Sequence, residues 1–150
     1  MDTIRVIFTR RRRNPFSWLI RWALPRNRFA LALASHSLIV DGDNMIEAHM
    51  RHGVCRLPAA DAMAGLTVVK IVDYSVPNAE AGLAWARLQI GKPYDWRGAL
   101  GLVIDVDRNW QKDTDWFCFE LVAGALENAG RSTFTETGHI TGSMLLSIKP

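Results

Sequence analysis

Cys118 stands in Trp116-Phe117-Cys118-Phe119-Glu120-Leu121-Val122, where an apolar helix begins. Upstream, His36 lies in Ser35-His36-Ser37-Leu38-Ile39-Val40, at the start of a strand-like run, and Glu47 in Met45-Ile46-Glu47-Ala48. A thiol, an imidazole and a carboxylate are the parts of a cysteine nucleophile with its general base and the group that orients the base. A helix N-terminus lowers a thiol's pKa through its dipole and unsatisfied amides, and a neighbouring imidazolium lowers it further. The same amides can bind the oxyanion that forms when a thiolate attacks a carbonyl. If the three residues meet, the chemistry is thiol-dependent hydrolysis or acyl transfer. If they do not, Cys118 is one more buried cysteine in an apolar helix.

The elements that must bring them together are legible in outline. Residues 33–40 and 45–50 read as a hairpin, because Asp41-Gly42-Asp43-Asn44 supplies residues that tolerate positive φ. With Gly42-Asp43 as a two-residue loop, Val40 pairs with Met45, Leu38 with Glu47 and His36 with His49. His36, Leu38, Glu47 and His49 then share one face, with Glu47 diagonal to His36 and His49 directly opposite. Both remain candidates for the imidazole's partner. A helix over about 115–129, capped by Asp115 or Thr114 and ended by Gly130, carries Cys118 in its first turn and Leu121, Val122, Ala125 and Leu126 on its apolar face.

The remaining elements frame these two. Residues 3–9 suggest a strand, and Asn14-Pro15 opens a helix that buries Trp18, Leu19, Trp22 and Ala23 and ends at Pro25. Residues 66–72 are strongly β-forming. Pro77-Asn78 opens another helix, with Leu83, Ala84 and Leu88 along one stripe and Gly91 closing it. Residues 92–113 read as loop, and 144–148 as a last strand. The expectation is one α+β domain spanning residues 1–150.

Composition bounds the reading. The chain has 150 residues, 49% apolar and 22% charged, enough for a hydrophobic core without an extreme charge balance. No window approaches the ~18 uninterrupted apolar residues of a membrane helix. Two cysteines are too few for a disulfide framework, so a reducing compartment is expected. The N-terminus does not read as a secretory signal, so a cytoplasmic location is the default, with export by another route or virion association as alternatives.

Among the other chemistry-bearing residues, Cys55 lacks a helix start and reads as structural. Cys55, His49 and His52 fit no strong zinc spacing, and His139 reads as a surface residue. No metal and no cofactor are expected. Residues 1–30 hold eight arginines and one acid, Asp2, although the net charge is only +3. Arg10, Arg11, Arg12 and Arg13 could meet an anionic partner. Nucleic acid is disfavoured, because no helix-turn-helix, zinc or RNA-binding motif accompanies the charge.

At Ile90-Gly91-Lys92-Pro93-Tyr94-Asp95-Trp96, at Trp116-Phe117-Cys118-Phe119-Glu120-Leu121-Val122 and at Ala129-Gly130, the chain resembles the NlpC-type branch of the papain-like cysteine hydrolases. The histidine precedes the cysteine, an order similar to the circularly permuted branch, which holds bacterial lipoprotein-like hydrolases and amidases and the lecithin retinol acyltransferase group. The resemblance covers roughly residues 4–130. It implies a permuted papain-like fold, with an antiparallel sheet packed against helices and the nucleophile at a helix N-terminus. It implies Cys118 as nucleophile, His36 as general base and Glu47 as third residue, with His49 as the alternative because the acyltransferase group uses a histidine there. Tyr94 matches a tyrosine near the nucleophile, an oxyanion-binding or positioning group. The implied substrate is a peptide or an acyl group. The rival expectation is a catalytically silent binding or structural module of a larger assembly, working through the arginine patch. Two positions depart from the pattern. Phe119 stands where a small serine is common and is expected to narrow the site or alter its substrate. Ser37 stands where an apolar residue is common.

Overall fold

The computed structural model describes residues 1–11, 34–94, 118–132 and 142–148. Five strands form one antiparallel sheet: β1 (Asp2–Arg11), β2 (His36–Asp41), β3 (Asn44–His49), β4 (Gly53–Pro58) and β5 (Leu66–Val76), in the order β4-β3-β2-β1-β5. The described helices are α1 (Ala59–Ala62), α2 (Ala79–Leu88), α3 (Cys118–Asn128) and α4 (Gly142–Ser147). The protein is therefore an α+β fold, with an antiparallel sheet and a few helices.

Alternation along the strands makes two cores. Ile4, Val6 and Phe8 of β1, Ile39 of β2, Ile46 and Ala48 of β3, and Val72, Tyr74 and Val76 of β5 are all buried in the cluster that includes α3. The opposite face buries Ile7, Leu38 and Met45 with Ala62 of α1. Residues two apart on a strand share a face, so β1 sends Val6 and Phe8 to one core and Ile7 to the other. Each large apolar side chain removed from water contributes roughly 2 kcal/mol.

The β2–β3 hairpin has the expected register. Val40 pairs with Met45, Asp41 pairs with Asn44, and Gly42 takes φ +61° in the two-residue turn. The buried Asp41 carboxylate anchors the hairpin end, accepting from Arg56 Nε at 2.6 Å and from Arg87 Nη2 at 2.6 Å and Nε at 3.1 Å. Arg87, against the opposing cost of burial and with help from Arg56, holds this carboxyl below its ordinary value.

Helix α2 starts as expected, with the Asn78 side chain accepting from Ala81 N–H at 3.0 Å. Its buried face is different. Gly82 and Ala86 are buried, while Ala84 is exposed and Leu88 is 77% exposed. Close approach of α3 decides this: a Cβ on Gly82 would lie 2.4 Å from the Ala125 carbonyl oxygen, and one on Gly124 would lie 2.2 Å from Trp85 Cη2. Only the smallest side chains fit that contact; Leu83 still packs against the core beside it, while Leu88 lies outside it.

Helix α3 buries Leu121, Val122, Ala125 and Leu126 as expected, together with Phe119, Ala123 and Gly124. Arg131 N–H bonds Leu126 O and Gly130 N–H bonds Glu127 O, with Gly130 at φ +87°, the geometry that ends a helix through a left-handed glycine.

Two further expectations are corrected, and two elements were not expected. The β5 strand is longer than residues 66–72, because its pairing with β1 continues to Asp2 opposite Val76. Strand β4 and helix α1 were not foreseen: β4 exists because β3 supplies pairing partners from Asn44 to His49. The segment expected as a last strand is helix α4, in which Leu145 is fully buried and its carbonyl accepts from the Tyr74 hydroxyl at 2.8 Å. A short apolar run fits a buried strand or a helix turn equally, and packing chooses. The expected helix after Asn14-Pro15, the caps Thr114 and Asp115, and His139 lie outside the described residues, as do Arg12 and Arg13. Among the described residues no helix is long and apolar enough to cross a membrane.

Candidate active site

His36 is the first residue of β2 and pairs with Thr9 of β1. The ladder extends one residue further through a hydrogen bond from Ser35 N–H to Thr9 O at 2.9 Å, which fixes the entry of the strand. Glu47 lies diagonally across the hairpin on β3, and its Oε2 is 2.5 Å from His36 Nε2. The two side chains are 19% and 5% exposed. A carboxylate in so little water is an acceptor only, so it holds the ring in the form that carries hydrogen on Nε2.

Cys118 is the first residue of α3, buried at 2% exposure. The Cys118 side chain adjoins the same imidazole and favours its charged form. With Nε2 taken by Glu47, Nδ1 is the nitrogen left for the thiol. Burial works against the charged imidazole, but the hydrogen bonds with Cys118 and Glu47 and the negative charge of both overcome it. His36 is thereby raised from its ordinary 6.5 to about 9. The imidazole keeps its proton at neutral pH, which is what a thiolate–imidazolium pair requires.

The structure thus brings together Cys118 of α3, His36 of β2 and Glu47 of β3; the two hairpin residues are 11 apart in the chain, and Cys118 follows them by 82 and 71 residues. His49 is engaged differently: its ring stacks on His52 at 4.9 Å between centroids, and its Nδ1 accepts from Arg51 N–H at 3.2 Å. Cys55 pairs with Glu47 across β3–β4, apart from the His49–His52 stack. Burial and then the Glu47 charge push the Cys55 thiol up to about 11, so this cysteine is protonated at neutral pH.

Tyr94 is 9% exposed and belongs to the same buried cluster as Cys118 and Phe119. The segment leading to it is bound to β4, with Gly91 N–H donating to Val54 O at 2.9 Å and Val54 N–H to Lys92 O at 2.8 Å. Gly53 makes this approach feasible: at φ +68° its missing Cβ would lie 2.2 Å from Lys92 O.

The two departures from the family pattern resolve physically. Phe119 packs into the core beside Phe8. It is 3% exposed and stacks on Phe8 of β1, with ring centroids 6.5 Å apart and planes at 24°, so it is part of the core under α3. Ser37 is 1% exposed, and its hydroxyl donates to the Cys118 carbonyl oxygen at 3.0 Å. Residue types alone gave no reason to single it out. The available signal was strand alternation, which puts Ser37 on the same face of β2 as the core residue Ile39.

Of the arginine patch, Arg10 is exposed near the end of β1, where its backbone pairs with Thr67 of β5. Compared with protein-family models, with curated proteins and with solved structures, the chain matches none.

Proposed function

We propose that this protein is a cysteine hydrolase or acyltransferase of permuted papain-like (NlpC-type) architecture, acting on the amide or ester carbonyl of a peptide or acyl substrate. One observation carries the reading: the His36 imidazole bonds the Glu47 carboxylate through Nε2 and adjoins Cys118, the residue that opens α3, whose side chain favours the charged ring. A core cysteine has no need of such partners.

In this mechanism the Cys118 thiolate attacks the carbonyl carbon, forming a C–S bond and an oxyanion. Amides of the first turn of α3 face that oxyanion, since the opening turn of a helix directs its N–H groups outward along the axis. The intermediate collapses as the C–N or C–O bond breaks, and His36 gives its proton to the departing amine or alkoxide. The resulting thioester is cleaved when water or an acceptor hydroxyl or amine loses a proton to His36 Nδ1 and attacks the acyl carbon. The thiolate leaves and the imidazolium re-forms beside it. Glu47 keeps the ring oriented through both halves and offsets its positive charge.

The test is the rate of iodoacetamide alkylation of the intact protein across neutral and alkaline pH, with the modified cysteine identified by peptide mass spectrometry. The expected result is selective reaction at Cys118, with Cys55 silent, and a burst of p-nitrophenol from p-nitrophenyl acetate as Cys118 is acetylated. A Cys118 that reacts no faster than Cys55, or is indifferent to His36→Ala, overturns the reading.

A further inference from the structure

We propose that Ser37 is a positioning residue of this site, setting the separation of the Cys118 thiol and the His36 imidazole through its hydrogen bond to the Cys118 carbonyl. The inference rests on the reading of Cys118 as nucleophile and His36 as base.

Ser37 sits on the core side of β2, at 1% exposure, and pairs with Phe8 across β1–β2. Its same-face neighbour on β2 is Ile39, and the cluster over that face is otherwise apolar. A hydroxyl in such surroundings is costly unless bonded, and an alanine or valine would pack there at no polar cost. The carbonyl it meets does not depend on it. Cys118 is the first residue of an eleven-residue helix, so its carbonyl is placed to accept the i+4 amide of Val122 in any case. A carbonyl oxygen has a second lone pair, and Ser37 uses it at 3.0 Å. The bond therefore satisfies no otherwise stranded backbone group. What it adds is a fixed distance between two backbones.

Those two backbones are the ones that matter. Ser37 is the chain neighbour of His36, and its acceptor belongs to Cys118 itself. Serine has one short side-chain torsion, so the tie is stiff. Glu47 fixes the rotation of the imidazole through Nε2 but leaves open how far α3 stands from β2. Ser37 closes that remaining freedom. Attraction between thiolate and imidazolium, and the hydrogen bond between them, decline as the two separate. A small retreat of α3 from β2 thus weakens the pairing of the two groups without unfolding anything.

The comparison that tests this is Ser37→Thr against Ser37→Val: the two side chains have the same shape, and only threonine keeps the hydroxyl. Each variant is assayed for iodoacetamide reaction at Cys118 across pH, for the NMR titration of His36, and for its thermal melt. Ser37→Thr is expected to retain the wild-type profile. Ser37→Val is expected to melt cooperatively yet react about tenfold more slowly near neutral pH, the factor that one hydrogen bond of ordinary net strength represents, with its profile moved to higher pH and His36 titrating lower. If Ser37→Val does not fold, Ser37→Ala takes its place. A valine variant as reactive as wild type overturns the proposal, as does equal slowing in the valine and threonine variants, which would assign the effect to shape. In both cases the wild-type Cys118 is still fast. A wild-type Cys118 that reacts as an unperturbed thiol overturns instead the cysteine-hydrolase reading itself.

Discussion

Glu47 Oε2 and His36 Nε2 meet at 2.5 Å, diagonally across the β2–β3 hairpin, and that contact leaves Nδ1 as the ring nitrogen for any further partner. Replacing the carboxylate by its neutral isostere removes the charge while keeping the volume. Glu47→Gln is expected to leave the protein folded but to slow alkylation of Cys118 near neutral pH by about tenfold, corresponding to roughly one pKa unit of lost imidazolium stabilisation. Unchanged reactivity in this variant would show that Glu47 does not tune the pair.

The His36 titration carries a pH signature. Its folded value lies near 9 against an ordinary 6.5, so the folded chain holds a proton that the unfolded chain releases between them. This group's stabilisation is complete below about 6.5 and is lost as pH rises through 9. The difference in denaturation midpoint between wild type and His36→Asn is expected to shrink across that window. NMR titration should find the imidazole resonance moving well above 6.5 in wild type, and lower in Cys118→Ala and in Glu47→Gln. An ordinary titration in wild type would contradict the ion pair.

Thr9 faces His36 across β1–β2, and among the described residues its Oγ1 is the one buried side-chain polar atom without a hydrogen-bond partner. An unbonded hydroxyl in the interior is a standing cost of about 1–3 kcal/mol. Thr9→Val is therefore expected to raise the denaturant midpoint, by up to about 1 kcal/mol after packing adjustments, and to leave the Cys118 alkylation rate unchanged. Destabilisation by that much would mean the hydroxyl is bonded in solution.

Gly124 is where Trp85 lies against α3. An added Cβ would come within 2.2 Å of Cη2 and 2.8 Å of Cζ3, so Gly124→Ala must displace the indole or the helix. The expected cost is about 1–3 kcal/mol, the usual range for overpacking a filled core. Trp85→Phe in the same chain should recover part of it, because the two substitutions share one contact. Independent, additive losses on chemical denaturation would place the strain elsewhere.

The chain's local chemistry was legible where it is self-contained. The turn at Gly42 fixed the hairpin register, the Asn78 cap opened α2, and Gly130 closed α3, since each depends on backbone conformations that few residue types adopt. Leu88 and residues 144–148 were misread for the opposite reason. Whether Leu88 is covered depends on how closely Gly82 and Gly124 admit the neighbouring helix, and whether the last apolar run is strand or helix depends on what Leu145 packs against.

The candidate site divides the same way. Alternation on β2 and β3 put His36 and Glu47 on one face, and residue types named the thiol, base and carboxylate. The sequence by itself determined the parts and the hairpin half of their geometry, because strand periodicity and turn chemistry are local. Only the tertiary structure decided that Glu47 rather than His49 holds Nε2, that Phe119 turns into the core onto Phe8, and that Ser37 ties β2 to the carbonyl of Cys118. Those outcomes depend on where α3 and the sheet come to rest against each other, across 81 residues of chain between Ser37 and Cys118, and the spacing of residues along a sequence does not encode that distance.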